Sequence, residues 1–140
     1  HDVAVGTGHI SQKETMVLVD EARRAGVRKI LLTHPTIDFL AYSKEQMMRL
    51  ARSDVLIEHD YVICTKQVSA PVPPRNLADA IKSVGAEGCI MATDGGQKIN
   101  PPPVTMLRQF ISDMLQNGIS EEEIRVMISE NPARVLGLKA

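Results

Sequence analysis

Four short apolar runs recur along the chain, each followed by sequence patterned for a helix, and this alternation calls for a parallel β-sheet with right-handed helical crossovers. The runs are Val3 to Gly8, Lys29 to Thr33, a third within Asp54 to Thr65, and Gly88 to Thr93. Their ends fall at 9, 34, about 64 and 94, a spacing of roughly one β/α unit. Strands such as Lys29-Ile-Leu-Leu32 and Cys89-Ile-Met-Ala92 are near-continuous apolar stretches, as expected of parallel strands buried on both faces.

The helix starts are written in capping chemistry. Ser11-Gln-Lys-Glu14, Ser43-Lys-Glu-Gln46 and Ser120-Glu-Glu-Glu123 each place an acid or amide three residues after a serine, the capping-box pattern. After the first, Met16, Val19, Ala22 and Arg23 follow at helical spacing, with Gly26 placed to end the helix. The second leads through Met47, Met48, Leu50 and Ala51. The segment Pro71-Val-Pro-Pro74 reads as a loop, after which Asn76 is expected to cap a helix to about Val84, ended by Gly85. Pro101 to Pro103 lead into a helix from about Val104 to Gln116. The last helix is expected to break at Asn131-Pro132, leaving a short terminal turn.

Composition narrows the function classes. Of 140 residues, 44% are hydrophobic and 24% charged, the balance of a globular domain rather than a disordered chain. The net charge is -1, with basic residues scattered, so nucleic acid is not an expected partner. No apolar run nears the ~20 residues that span a bilayer, and no basic-then-apolar leader is present; a cytoplasmic protein is expected. Cys64 and Cys89 each lie inside an apolar run and read as reduced thiols. The chain begins His1-Asp2-Val3 without a Met, which is expected of a processed or truncated product or of a piece of a longer protein.

His9, His34 and Asp94 close three of the four strands, each beside a turn or a Pro/Gly element. In parallel β/α folds the carboxyl ends of the strands form the functional face, so these side chains are expected to share one rim. Imidazoles with a carboxylate suit Zn²⁺ or a similar divalent ion, and a carboxylate beside a metal-bound water can take its proton. The plainer alternatives are histidines that merely hydrogen-bond at strand ends, and Asp94-Gly95-Gly96 as an ordinary turn. Within the third run, alternation sends Glu58 and Asp60 to one side and His59 to the other. Glu58 is taken as a substrate contact, with a rim salt bridge as its rival. Gln97 is placed to orient a ligand. Lys98 and Arg75 lie in loops suited to an anionic substrate, or are simply solvated. The methionines read as core filler.

These residues resemble the amidohydrolase superfamily of metal-dependent hydrolases. Gly8-His9, Thr33-His34-Pro35 and Thr93-Asp94-Gly-Gly-Gln97 are similar to its strand ends, and Ser129-Glu-Asn-Pro-Ala-Arg-Val-Leu-Gly-Leu138 is similar to its common ending. Asn100-Pro-Pro-Pro103 is shared with uncharacterised amidohydrolase-like proteins. The order of motifs resembles strands five to eight of a (β/α)8 barrel. The resemblance implies His9 and His34 as metal ligands, and Asp94 as both ligand and general base. The superfamily's first-strand His-x-His pair and strand-four Lys or carboxylate have no counterpart; Val3 stands where the second His would lie. A complete barrel needs at least ~200 residues. The expected fold is therefore α/β: a partial TIM barrel, residues 1–140 forming the C-terminal half, with the N-terminal half missing or replaced by a second copy. The expected activity is hydrolysis of an amide, ester or related bond in a small-molecule substrate by a Zn²⁺-activated water. The alternative is a non-catalytic half-barrel serving as a small-ligand-binding or assembly module. A flavodoxin-like binder is disfavoured because Gly6-Thr7-Gly8 lacks the third glycine of a phosphate loop.

Overall fold

Each strand forms where aliphatic residues are continuous and stops where a polar or turn-forming residue follows. A computed structural model describes residues 3–138. Strands β1 (Ala4–Gly6), β2 (Lys29–Thr33), β3 (Val55–Asp60) and β4 (Cys89–Ala92) pair in parallel, in the order β1-β2-β3-β4. Every crossover thus advances in the same direction, with no reversal of strand order. The register sets Gly6 beside Leu31, Thr33 beside Glu58 and Asp60 beside Ala92. Those pairings bring the carboxyl ends of all four strands to one rim.

The helices are α1 (Gln12–Arg24), α2 (Lys44–Ala51), α3 (Pro74–Val84), α4 (Pro103–Gln116), α5 (Glu121–Arg125) and α6 (Asn131–Leu136). All three serine capping boxes form: Ser11, Ser43 and Ser120 each accept from the backbone N–H three residues on, while the acid or amide there reaches back to the serine N–H. Such a cap contributes about 1 kcal/mol. Helix α1 buries Thr15, Val19 and Ala22, so Met16 is exposed instead of joining the inward stripe.

Ile30, Leu32, Val55, Ile57, Cys89 and Met91 from one face of the sheet join Phe110 and Met114 of α4 in the common core. Phe110 is fully buried, which stabilises by about 2–3 kcal/mol. The opposite face is covered less. Leu31, Thr33, Leu56 and Glu58 are only half-buried, a departure from the expectation of strands buried on both sides. Five of the seven methionines are buried, as core filler would be. Neither cysteine forms a disulfide: Cys89 is buried and Cys64 half-buried.

Three local expectations are corrected. The third strand ends at Asp60, not near 64, because residues Tyr61–Cys64 wind into a 3₁₀ turn. Helix α3 starts earlier than Asn76: Pro73 is its cap and Pro74 its first residue, where a missing N–H costs nothing. Asn131-Pro132 does not break the last helix. A π turn over Val126–Glu130 shifts the hydrogen-bond register so that the Asn131 N–H donates to Val126, and α6 continues from it. The Asn131 side chain, 2% exposed, donates to the carbonyls of Ala86 (2.9 Å) and Cys89 (2.7 Å), tying the tail to the start of β4. Among the described residues, no helix is long and apolar enough to cross a membrane.

Candidate functional site

The rim is shaped by a shared backbone device. Beyond β1, β2 and β4 the chain turns through residues with positive φ: Gly8 (58°), His34 (50°) and Asp94 (43°). Glycine adopts this conformation freely, whereas a histidine or aspartate there stores strain. Two of the three strand-end residues singled out in the sequence therefore hold an unfavourable backbone. Below them, the Thr7 N–H donates to the Leu31 carbonyl at 2.9 Å, and the Thr7 hydroxyl accepts from the Thr33 N–H at 3.2 Å. These bonds lock the ends of β1 and β2 together.

His34 is the centre of the cluster and is 6% exposed. Its Nδ1 lies 2.9 Å from Asp60 Oδ2, itself buried, and its Nε2 lies 3.6 Å from Asp94 Oδ2. The Nδ1 contact is within ion-pair distance but off the ideal hydrogen-bond alignment. Asp94 is half in solvent, whereas Asp60 is enclosed. One imidazole thus stands between a buried carboxylate and an exposed one. The exposed His9 ring lies 5.2 Å from that of His34, centroid to centroid, and Phe39 meets His9 edge-on at 5.5 Å.

The electrostatics follow from this crowding. Burial pushes the His34 pKa down, but its contact with Asp60 and the negative charges of Asp60, Asp94 and Glu58 outweigh it, leaving the pKa above the ordinary value. Glu58 also titrates above its usual range, first through burial and then through the Asp60 charge, against the opposing hydrogen bond from Thr33 and the pull of His34. Three carboxylates around one buried imidazole favour any cation or proton that can enter.

The residues expected at the site divide accordingly. His34, Asp94 and Glu58 come together, and His9 stands beside them. Gln97 accepts instead from the Asn100 side-chain amide at 3.1 Å. Lys98 is exposed on the same loop, and among the described residues no hydrogen bond or ion pair joins it to the cluster. Arg75 belongs to the first turn of α3 rather than to a loop. His59 points away from Glu58 and Asp60, as alternation requires, and is entirely buried. Asp60, which alternation sets on the same side as Glu58, is the partner of His34 that was not singled out; the break of the apolar run at Glu58-His59-Asp60 was its signal. Phe39 had no sequence signal beyond being one of two phenylalanines. Among the described residues, no group of three or more His, Cys, Asp or Glu is gathered as a ready metal cage.

A model of a protein family of unknown function, DUF6282, matches residues 1–58, the part that carries His9, His34 and Glu58. No curated protein and no solved structure matches the chain.

Proposed function

We propose that this rim is the site of a metal-dependent hydrolase acting on an amide, ester or related bond of a small molecule, and that the four β/α units are half of a TIM-type barrel. The observation that carries the reading is the His34 imidazole, oriented at Nδ1 by a buried carboxylate and presenting Nε2 to Asp94 at 3.6 Å. Metal-binding histidines characteristically have a carboxylate behind the other ring nitrogen. Two ligands about 2.0–2.2 Å from a tetrahedral ion lie roughly 3.4 Å apart, so the donor pair fits. His34 and Asp94 would hold the ion, with His9 the next imidazole along the rim. A bound divalent ion would lower the pKa of its water to about 7 and polarise the scissile carbonyl.

The chain's own residues divide the remaining work. Asp60 places a buried negative charge behind His34 Nδ1, which favours a proton on that nitrogen and leaves Nε2 facing Asp94. Asp94, the more exposed carboxylate, can take the proton of an attacking water and return it to the leaving group. Glu58, with its raised pKa, can stay protonated longer than an ordinary carboxylate and donate a hydrogen bond to substrate oxygen. The strained backbone at His34 and Asp94 supports the same reading, since such strain concentrates where function requires a fixed geometry. The sequential order of parallel strands supports the half-barrel, because a doubly wound sheet would reverse direction at a switch point.

The test is turnover of a panel of amides and esters with added Zn²⁺, comparing the wild type with Asp94→Asn. Loss of at least about 100-fold with the fold intact is expected. Full activity in the variant would remove Asp94 from the mechanism.

A further inference from the structure

At the end of the sheet opposite the rim, a cavity of about 760 Å³ opens where β2 and β3 begin, bounded by the C-terminal ends of α2 and α3 and by α6. Its apolar wall includes the half-buried Leu56, Val84 and Val135, and its mouth carries Arg28, Arg52 and Arg134. None of these three arginines has a carboxylate within ion-pairing distance among the described residues; Arg134 instead donates to the Glu87 carbonyl at 3.1 Å. Of the six other arginines, Arg24 pairs with Glu21 and Arg125 with both Glu122 and Glu130, while Arg23, Arg49, Arg75 and Arg108 have no ion pair among the described residues.

Two acids, Asp54 and Glu87, also line the cavity, and the C-terminal ends of α2 and α3 bring partial negative charge. Arg52, at the C-cap of α2, is accounted for in part by that dipole. Arg28 lies between α1 and β2 and belongs to no helix end, and Arg134 is held by a carbonyl on a different element. Guanidinium groups present paired donors matched to phosphate oxygens. Three of them over an apolar wall describe a pocket for an anion with a hydrophobic body. The rim, with Glu58, Asp60 and Asp94, has the opposite sign.

We infer that this cavity binds a small organic phosphate monoester, its phosphate among Arg28, Arg52 and Arg134 and its apolar body against Leu56, Val84 and Val135, at a site separate from the rim. The test is an amide NMR titration of the full chain with phenyl phosphate, inorganic phosphate and benzyl alcohol. Phenyl phosphate is expected to shift the Leu56 and Val84 amides with a Kd of about 1 mM or tighter, and more tightly than either other probe. Arg28→Gln and Arg52→Gln should each weaken it about tenfold or more. Because Arg28 caps no helix, its variant separates binding from helix stability. Absence of shifts at about 10 mM phenyl phosphate, or unchanged affinity in both folded variants, overturns the site. Inorganic phosphate binding as tightly as phenyl phosphate overturns the organic body.

Discussion

Lowering the pH from 7 to 4 should destabilise the protein through His59. This imidazole is fully buried on β3. Its Nδ1 has no hydrogen-bond partner, and its Nε2 meets only the Cys89 thiol, at 3.6 Å. Burial alone pushes its pKa down to about 4 from the ordinary 6.5. The sign follows from linkage. Below pH 6.5 the unfolded chain binds a proton that the folded chain refuses until near pH 4, so stability falls across that window. A gap of 6.5 to about 4, at 1.36 kcal/mol per pKa unit, is about 3 kcal/mol lost by pH 4. His34 and Glu58 work against this, since their raised pKa values make the folded state bind protons more readily as the pH drops. The contribution of His59 is therefore isolated by comparison with His59→Leu, which cannot titrate. Replacing a buried, poorly satisfied imidazole by an apolar residue should be nearly neutral at pH 7. Urea denaturation at pH 7, 6, 5 and 4 should show the wild type losing about 3 kcal/mol more than the variant. Parallel pH profiles, or a His59 ring signal titrating near 6.5 by NMR, would refute the reasoning.

Three further outcomes follow from the same contacts. Asp60→Asn removes the charge behind His34 Nδ1, so the His34 pKa should fall, read by its ring protons. The stability that His34 contributes, full below about pH 6.5 and lost as pH rises through its higher folded value, should shrink with it. Asp94→Gly should keep stability within about 1 kcal/mol of the wild type or raise it, because the substitution relieves a left-handed backbone and like-charge crowding; a larger loss in urea denaturation would contradict the strain. Asn131→Ala should cost about 2–4 kcal/mol, since it strands the Ala86 and Cys89 carbonyls in the core, visible as a lower thermal midpoint.

What was legible in the sequence was what local chemistry decides. Ser11, Ser43 and Ser120 cap the helices they announce, because each box satisfies its own orphan N–H groups without help from the rest of the fold. Lys29–Thr33 matches β2 residue for residue, since Pro35 denies the strand a further donor. The end of β3 was not legible: Tyr61 to Cys64 are as apolar as a strand, and it is tertiary contacts that hold the turn, with Tyr61 packed on Phe110 at 5.2 Å between rings and donating to Asp113, and the Val62 N–H donating to the Thr93 carbonyl. Alternation set Asp60 on the same side as Glu58, but which of the two would stand behind His34 depends on tertiary packing. Pro132 departs from its local chemistry for a related reason. Its missing N–H breaks an isolated helix, yet the buried Asn131 clamp and the π turn carry the chain past it.

Metal-dependent chemistry at this rim requires His34 and Asp94 to hold a divalent ion jointly. Titration of the full chain with Co²⁺, followed by visible absorption, reads this directly, because four-coordinate nitrogen and oxygen ligation absorbs far more strongly than the hexa-aquo ion. Saturable absorption in the wild type, abolished in both His34→Asn and Asp94→Asn, is the predicted result. Absorption that persists unchanged in either variant, or a wild-type chain that binds no Co²⁺, would contradict it.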